Sequence, residues 1–293
     1  MRYDEIPLFF ECHGARLPGI VTRPATPSGA GVVIVVGGPQ YRVGSHRQFV
    51  LLARALAEAG IACMRFDYRG MGDAEGDATT FESVDDDIAA AVAELQRQTR
   101  VTHVVLWALC DGASAALRYC IADPRIAGVV AVNPWARSSG GHATVRLKHY
   151  YARRLLSGAF WRKLMTRSLD IRGAAREITT TVKDAVSAPS TAALGTSFLA
   201  RMHAGLCRFE RPLLVILSAN DLTAREFEQW VDADRARSNA MRRPGVQVLH
   251  IDDADHTFSR ASDRVRVERA CVDWITGTFA PAESRAIAPL TQS

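Results

Sequence analysis

The sequence predicts an α/β protein built on a mostly parallel, eight-stranded sheet, with helices on both faces and a helical segment inserted late in the chain. Two patterns predict it. Short apolar runs rich in β-branched residues alternate with stretches whose apolar residues recur at helical spacing, as expected of buried strands joined by right-handed helical crossovers. That alternation stops after Pro134-Trp135 and resumes at Leu213, with a basic, helix-leaning segment between.

Residues 8–12 and 19–22 read as two strands joined across His13-Gly14-Ala15-Arg16, a hairpin capping one sheet edge. Val32–Val36 is an unbroken β-branched run that stops at Gly37-Gly38-Pro39. Phe49, Leu52, Ala53, Leu56 and Ala57 then mark a helix ended by Gly60. A second buried strand follows over 61–68, a helix over 83–98, a strand over 103–109, a helix over 111–122 and a strand over 127–133. After the interruption come a strand at 213–217, a helix at 224–240, a strand at 246–251 and a last helix at 261–279. The expected organisation is a core of residues 1–135 and 209–280, an inserted helical cap at 136–208 with a break near Ser187–Ser190, and a frayed tail at 281–293.

With 293 residues, 48% of them hydrophobic and 23% charged, the chain has the length and composition for one large packed domain. No apolar run approaches the roughly eighteen residues that span a bilayer, and the start lacks the apolar core of a secretion signal, so a cytoplasmic protein is expected. The six cysteines lie far apart, with no C-x-x-C pair and no zinc spacing, which argues against a disulfide framework and a metal site. Five of them (Cys12, Cys63, Cys120, Cys207, Cys271) read as small buried hydrophobes. Net charge is only +5, yet residues 136–208 carry thirteen Lys/Arg against Asp170, Glu177 and Asp184, about +10. Such a block attracts anions: a coenzyme A or carrier-protein thioester, an acidic glycan or a membrane face, although a solvated helical surface has the same pattern.

The chemistry concentrates at Ala108-Leu109-Cys110-Asp111-Gly112, where a buried strand runs straight into a helix. A nucleophile on such a corner sits in a strained turn, so the residues two before and two after it must be small; here they are Ala108 and Gly112. The helix N-terminus also favours a thiolate. A rival register, Gly112-Ala113-Ser114-Ala115-Ala116, puts Ser114 one turn inside the helix, where a hydroxyl bonds back to the chain; Cys110 is the better nucleophile.

The base and acid are expected later in the chain, at the C-terminal ends of strands. Asp221 follows the strand at 213–217, and His256 follows the strand at 246–251 in Asp252-Asp253-Ala254-Asp255-His256. His256 would take the thiol proton and Asp221 would fix its tautomer, while the neighbouring aspartates serve the loop. The oxyanion donors are the N–H of Asp111 and that of Gly38 or Gln40, since Pro39 has none. Arg42, His46 and Arg47 lie on the same loop and are candidates for an anionic substrate; Trp135, with Phe160, Trp161, Leu164 and Met165, is a candidate wall for an acyl group. The other histidines read as structural or surface groups.

Taken together, Gly37-Gly38-Pro39, Asp67-Tyr68-Arg69-Gly70-Met71-Gly72 and the order Cys110, Asp221, His256 resemble the α/β-hydrolase superfamily over nearly the whole chain. More narrowly, Gly37–Arg47 with Leu109-Cys110-Asp111-Gly112-Ala113-Ser114 resembles the exosortase A system-associated hydrolases, a bacterial family linked with exopolysaccharide gene clusters. The resemblance implies a hydrolase fold without fixing a substrate. The elbow departs from G-x-S-x-G at Ala108 and Cys110, as dienelactone hydrolases also replace serine by cysteine, and points away from proteolysis and lipase activity. The expectation is a cofactor-free enzyme with an acyl-cysteine intermediate, acting on an ester or thioester, with coenzyme A or an acyl carrier protein as a candidate acyl donor and no nucleic-acid partner. An acyltransferase or cyclase would use the same intermediate, and a hydrolase-like binding protein without activity is the alternative of another class.

Overall fold

The computed structural model describes residues 3–38, 40–77, 80–136 and 191–279. Most of the expected cap, the cap residues Phe160, Trp161, Leu164 and Met165, and the expected tail at 281–293 lie outside the described residues. The chain divides into two compact units, residues 1–137 with 201–293, and residues 138–200.

The first unit holds one eight-stranded sheet. In chain order its elements are β1 (Tyr3–Cys12), β2 (Ala15–Pro24), β3 (Ala30–Val35), α1 (Gln48–Glu58), β4 (Ala62–Phe66), α2 (Asp85–Thr99), β5 (His103–Leu109), α3 (Asp111–Tyr119) and β6 (Ile126–Val132). They continue with α4 (Thr191–Arg208, whose first ten residues belong to the second unit), β7 (Leu213–Ser218), α5 (Leu222–Asp232), α6 (Arg235–Met241), β8 (Val246–Ile251) and α7 (Ala261–Phe279). The strands lie in the order β1-β2-β4-β3-β5-β6-β7-β8. β1 with β2 and β2 with β4 pair antiparallel, and every other pair is parallel.

This is the expected architecture, and its cause is visible strand by strand. All residues of β3 and β7 are buried, as strands covered by helices on both faces must be, whereas β1 alternates because it lies at the edge. On α1 the buried residues include Phe49, Leu52, Ala53, Leu56 and Ala57, the stripe read from the sequence. Trp107 of β5 lies in the core, its ring edge-on to Phe49 at 5.6 Å and its indole N–H on the Cys271 sulfur at 3.2 Å.

Some boundaries differ from expectation for local reasons. The hairpin strands are longer than the short runs suggested, ten residues each, because their polar residues face outward and carry no apolar signal. The helix expected at 224–240 is two helices. Asp234 has extended backbone and its carboxylate accepts the Arg237 N–H at 2.9 Å, capping a new helix where one was expected to continue.

The feature that matters most for the site is the switch point. From β3 the chain moves outward to β4, then returns to place β5 on the other side of β3, so the loops leaving β3 and β5 diverge from one crevice at the C-terminal edge. Among the described helices, α4 packs tightly on α3: a Cβ on Gly205 would stand 1.7 Å from the Leu117 carbonyl oxygen. Gly205→Ala is therefore expected to lower stability by about 1–3 kcal/mol through forced separation of the helices, measured by urea unfolding.

Candidate active site

Cys110 stands between β5 and α3 with φ 62° and ψ −127°, a conformation that a non-glycine residue holds only under constraint. Its backbone is fixed on both sides. The Cys110 N–H donates to Val132 O at 2.9 Å, and its carbonyl accepts from Ala113 N at 3.1 Å and Trp135 N at 3.2 Å. The small neighbours are required: a Cβ on Gly112 would lie 2.8 Å from Val35 O, and one on Gly37 would lie 2.3 Å from Leu109 O. Residue 110 is half-buried, so the corner opens to the surface of the described core.

Ser114 does not share that position. It is fully buried one turn into α3, and its hydroxyl donates to the Trp135 carbonyl at 2.5 Å, with the Cys110 carbonyl at 3.3 Å. The other cysteines are also removed from nucleophilic chemistry. Burial pushes the thiols of Cys63, Cys120 and Cys271 up to about 12 and raises those of Cys12 and Cys207 as well.

Asp221 and His256 meet. The imidazole Nδ1 and Asp221 Oδ2 are 2.7 Å apart. Facing a carboxylate, Nδ1 carries the proton and leaves Nε2 as the basic nitrogen. Asp221 is buried and rigid, because the same carboxylate caps α5, accepting from Thr223 N at 3.1 Å and Ala224 N at 3.3 Å. The loop bearing His256 is tied by Asp255. Burial pushes the Asp255 carboxyl up, but bonds from Ser259 and Thr257 outweigh it and leave the group below its ordinary value.

One residue of this assembly escaped the sequence reading. Asn133, buried at the end of β6, donates to the Ser218 hydroxyl at 2.9 Å and to the His256 carbonyl at 3.1 Å, and accepts the Ser218 N–H at 2.8 Å. Ser218 in turn donates to the Asp255 carbonyl at 3.0 Å. Asn133 thus ties β6 and β7 to the loop that holds the imidazole. A polar side chain directly after an apolar strand, in Val132-Asn133-Pro134, was the available signal.

The backbone groups expected as oxyanion donors lie beside the corner. The Gln40 N–H points back to Gly37 O at 3.3 Å, closing a turn, and the Gly38 N–H faces the Asp111 carboxyl. The Asp111 carboxyl itself lies in this corner: Gly112 N donates to Oδ1 at 2.9 Å, and a Cβ on Gly37 would stand 2.4 Å from that oxygen. Burial raises this carboxyl to about 6, opposed by the N–H groups of Gly38, Gly112 and Asp111 and by the field of His256.

Around this centre the loops are braced by charge. Asp67, fully buried, accepts the Arg42 N–H at 2.6 Å and the Asp73 N–H at 3.1 Å, and it also holds the Arg42 guanidinium. Arg42 reaches the Asp73 carboxylate at 2.9 Å as well, so its charge serves the loop. Arg69 clamps buried Asp87 with bonds of 2.9 Å from Nε and from its terminal nitrogen. These pairs explain the Asp67–Gly72 motif, and Gly72 is small because its Cβ would meet the Asp67 carboxylate at 2.3 Å. His46 and Arg47, with φ of 53° and 60°, are exposed on the same loop. Trp135 is half-buried, its ring edge-on to Phe81 at 5.4 Å. Among the described residues no group of three or more His, Cys, Asp or Glu is arranged to hold a metal ion, and no helix is long and apolar enough to cross a membrane.

Asn133→Ala removes three hydrogen bonds and leaves the buried Ser218 N–H without its acceptor. A stability loss of about 1–3 kcal/mol is expected, with a fall in kcat at little change in KM for ester turnover, measured by urea unfolding and steady-state kinetics.

No curated protein sequence matches the chain. Solved structures are similar in fold. The Pyrococcus furiosus esterase Pf2001 superposes with a TM-score of 0.66 at 15% identity, over 95% of this chain and 94% of that one. The α/β hydrolase GrgF from Penicillium sp. sh18 gives 0.66 at 16%, over 94% and 99%. Est1E from Butyrivibrio proteoclasticus, solved with ferulic acid bound, gives 0.63 at 14%, over 93% and 99%. The model of the alpha/beta hydrolase family matches residues 32–270, in agreement with the sheet, the elbow and the loop order, and the chain belongs to that family.

Proposed function

We propose that the protein is an esterase-like hydrolase that cleaves an acyl ester or thioester through an acyl-cysteine on Cys110, with His256 as base and Asp221 as its partner. The observation that carries the reading is the backbone of Cys110. A positive φ at a half-buried cysteine between β5 and α3 has a structural cost of order 1–3 kcal/mol, and a packing role would not need it.

In the forward step the thiol proton passes to His256 Nε2 and the sulfur attacks the acyl carbon. The carbonyl oxygen becomes an oxyanion against the N–H groups of Asp111 and Gly38, and the leaving alcohol or thiol takes the proton back from His256. Water activated by the same imidazole then releases the acid. Asp221 holds the ring in the required tautomer and stabilises the imidazolium. A thioester is a natural substrate for such a centre, because thiol-to-thiol acyl exchange has little thermodynamic bias. The basic composition of 136–208 supports an anionic donor such as acyl-coenzyme A or an acyl carrier protein, as do the exposed His46 and Arg47, and Trp135 is the candidate for contact with the acyl group.

Transfer to an alcohol, amine or thiol in polysaccharide or natural-product assembly is the second reading. The resemblance of Gly37–Arg47 and Leu109–Ser114 to the exosortase-associated hydrolases favours it.

The test is turnover of p-nitrophenyl and coenzyme A esters of short acyl chains. Cys110→Ala is expected to abolish it, Ser114→Ala to retain the acylation step with altered stability, and Asp221→Asn to lower kcat by several hundredfold or more, on the order seen when a triad histidine takes the wrong tautomer. Full activity in Cys110→Ala contradicts the proposal. Conjugate formed faster than free acid in the presence of an acceptor selects the transferase reading.

A further inference from the structure

The two backbone donors proposed for the oxyanion lie against a carboxyl, that of Asp111, the residue after the nucleophile. The N–H groups of Gly38, Gly112 and Asp111 itself bear on that carboxyl, with Gly112 N to Oδ1 at 2.9 Å. Gly37 makes the arrangement possible, since any side chain there would collide with Asp111 Oδ1 and Leu109 O at 2.4 and 2.3 Å. A side-chain carboxylate resembles the tetrahedral oxyanion in the two properties that such donors select, negative charge and an oxygen acceptor.

Resting on the acyl-cysteine reading, we propose that the Asp111 carboxylate occupies the oxyanion hole of the free enzyme and competes with the acyl oxyanion for it, making Asp111 a gate on acylation. Ionised, the carboxylate holds the donors. Protonated, it is a weaker acceptor and yields them. Substrate must displace it in the first case and meets an open hole in the second.

The groups facing Asp111 define what can set its charge. From the loop after β8, His256 acts on it; among the described residues of the loop after β3, the Gly37–Gly38 backbone groups face it; along the chain its neighbour is Cys110. Burial is the leading influence and raises the carboxyl to about 6, so the gate changes state between mildly acidic and neutral pH. The field of His256 favours the ionised carboxylate and so opposes the opening, and the gate closes as pH rises.

The experiment compares two reactions of Cys110 in the full-length protein across pH 5 to 9. Acylation by p-nitrophenyl acetate, followed as a burst of p-nitrophenolate, builds an oxyanion. Alkylation by iodoacetamide consumes the same thiolate without one. The ratio of the two rates cancels the thiolate fraction. In the wild type the ratio is expected to fall by at least about tenfold as pH rises through the carboxyl range, a part of the 10²–10³ that loss of one oxyanion donor costs. In Asp111→Ala and in the isosteric, uncharged Asp111→Asn it is expected to stay flat and to exceed the wild type at pH 8.

Unfolding in urea supplies a readout apart from activity. The carboxyl is raised from 3.8 to about 6 in the folded state, so the folded protein holds the proton over that interval and wild-type stability falls as pH rises through it. Asp111→Asn lacks that component of the fall. A wild-type ratio as flat as that of the variants, or variants that acylate more slowly at every pH with unchanged alkylation, overturns the gate. Normal alkylation with no ester burst from any of the three proteins overturns the acyl-cysteine reading itself, and the gate with it.

Discussion

The approach of the loop after β3 to the corner after β5 is the constraint on which the site depends. At this switch point the Gly37 Cα comes so close to Leu109 and Asp111 that a single added carbon would collide with both. The contact has two consequences. It presses the corner from one side while Val132, Ala113 and Trp135 fix its hydrogen bonds from the other, and Cys110 is left with a left-handed φ that it would not hold in isolation. It also brings the Gly38, Gly112 and Asp111 N–H groups toward one carboxyl, where they partly offset the cost that burial sets on its negative charge.

The remaining parts of the site are held by groups that serve the fold at the same time. Asp221 is both the helix cap of α5 and the partner of His256, so its carboxylate has little freedom to turn. Asn133 supports the imidazole loop through Ser218 and the His256 carbonyl, without touching the ring. Asp67 and Asp87 bind Arg42 and Arg69 and brace the loops that border the crevice. Each of these carboxylates or amides is buried and satisfied, the condition under which a polar network fixes geometry rather than costing stability.

Much of this was legible in the residues. Buried strands and helix stripes carry strong periodic signals, so the eight strands and the face of α1 could be read directly. Cys110, Asp221 and His256 could be singled out because strand ends in an open parallel sheet converge on one edge. Between Cys110 and Ser114 the structure shows a difference in setting: the serine hydroxyl is given to the Trp135 carbonyl, while Cys110 stands at the corner. What escaped the sequence depends on contacts between distant segments. Asn133 reads as the last residue of a strand until Ser218, 85 positions away, is seen against it. Arg42 reads as an open cation until buried Asp67 and exposed Asp73 close around it. The setting of the Asp111 side chain carries no local signal beyond its bond to Gly112, because Gly37 and Gly38 come against it from another strand. The split between α5 and α6 turns on one carboxylate choosing a backbone N–H, a decision that periodicity does not register.

The central claim is that a covalent acyl group forms on the sulfur at the β5–α3 corner. Intact-mass analysis after brief incubation with an acyl thioester, followed by peptide mapping, tests it most directly. The account predicts one added acyl mass per chain, found on the peptide containing Cys110 and specifically on that residue; an adduct on Ser114, or none while the substrate is turned over, contradicts it.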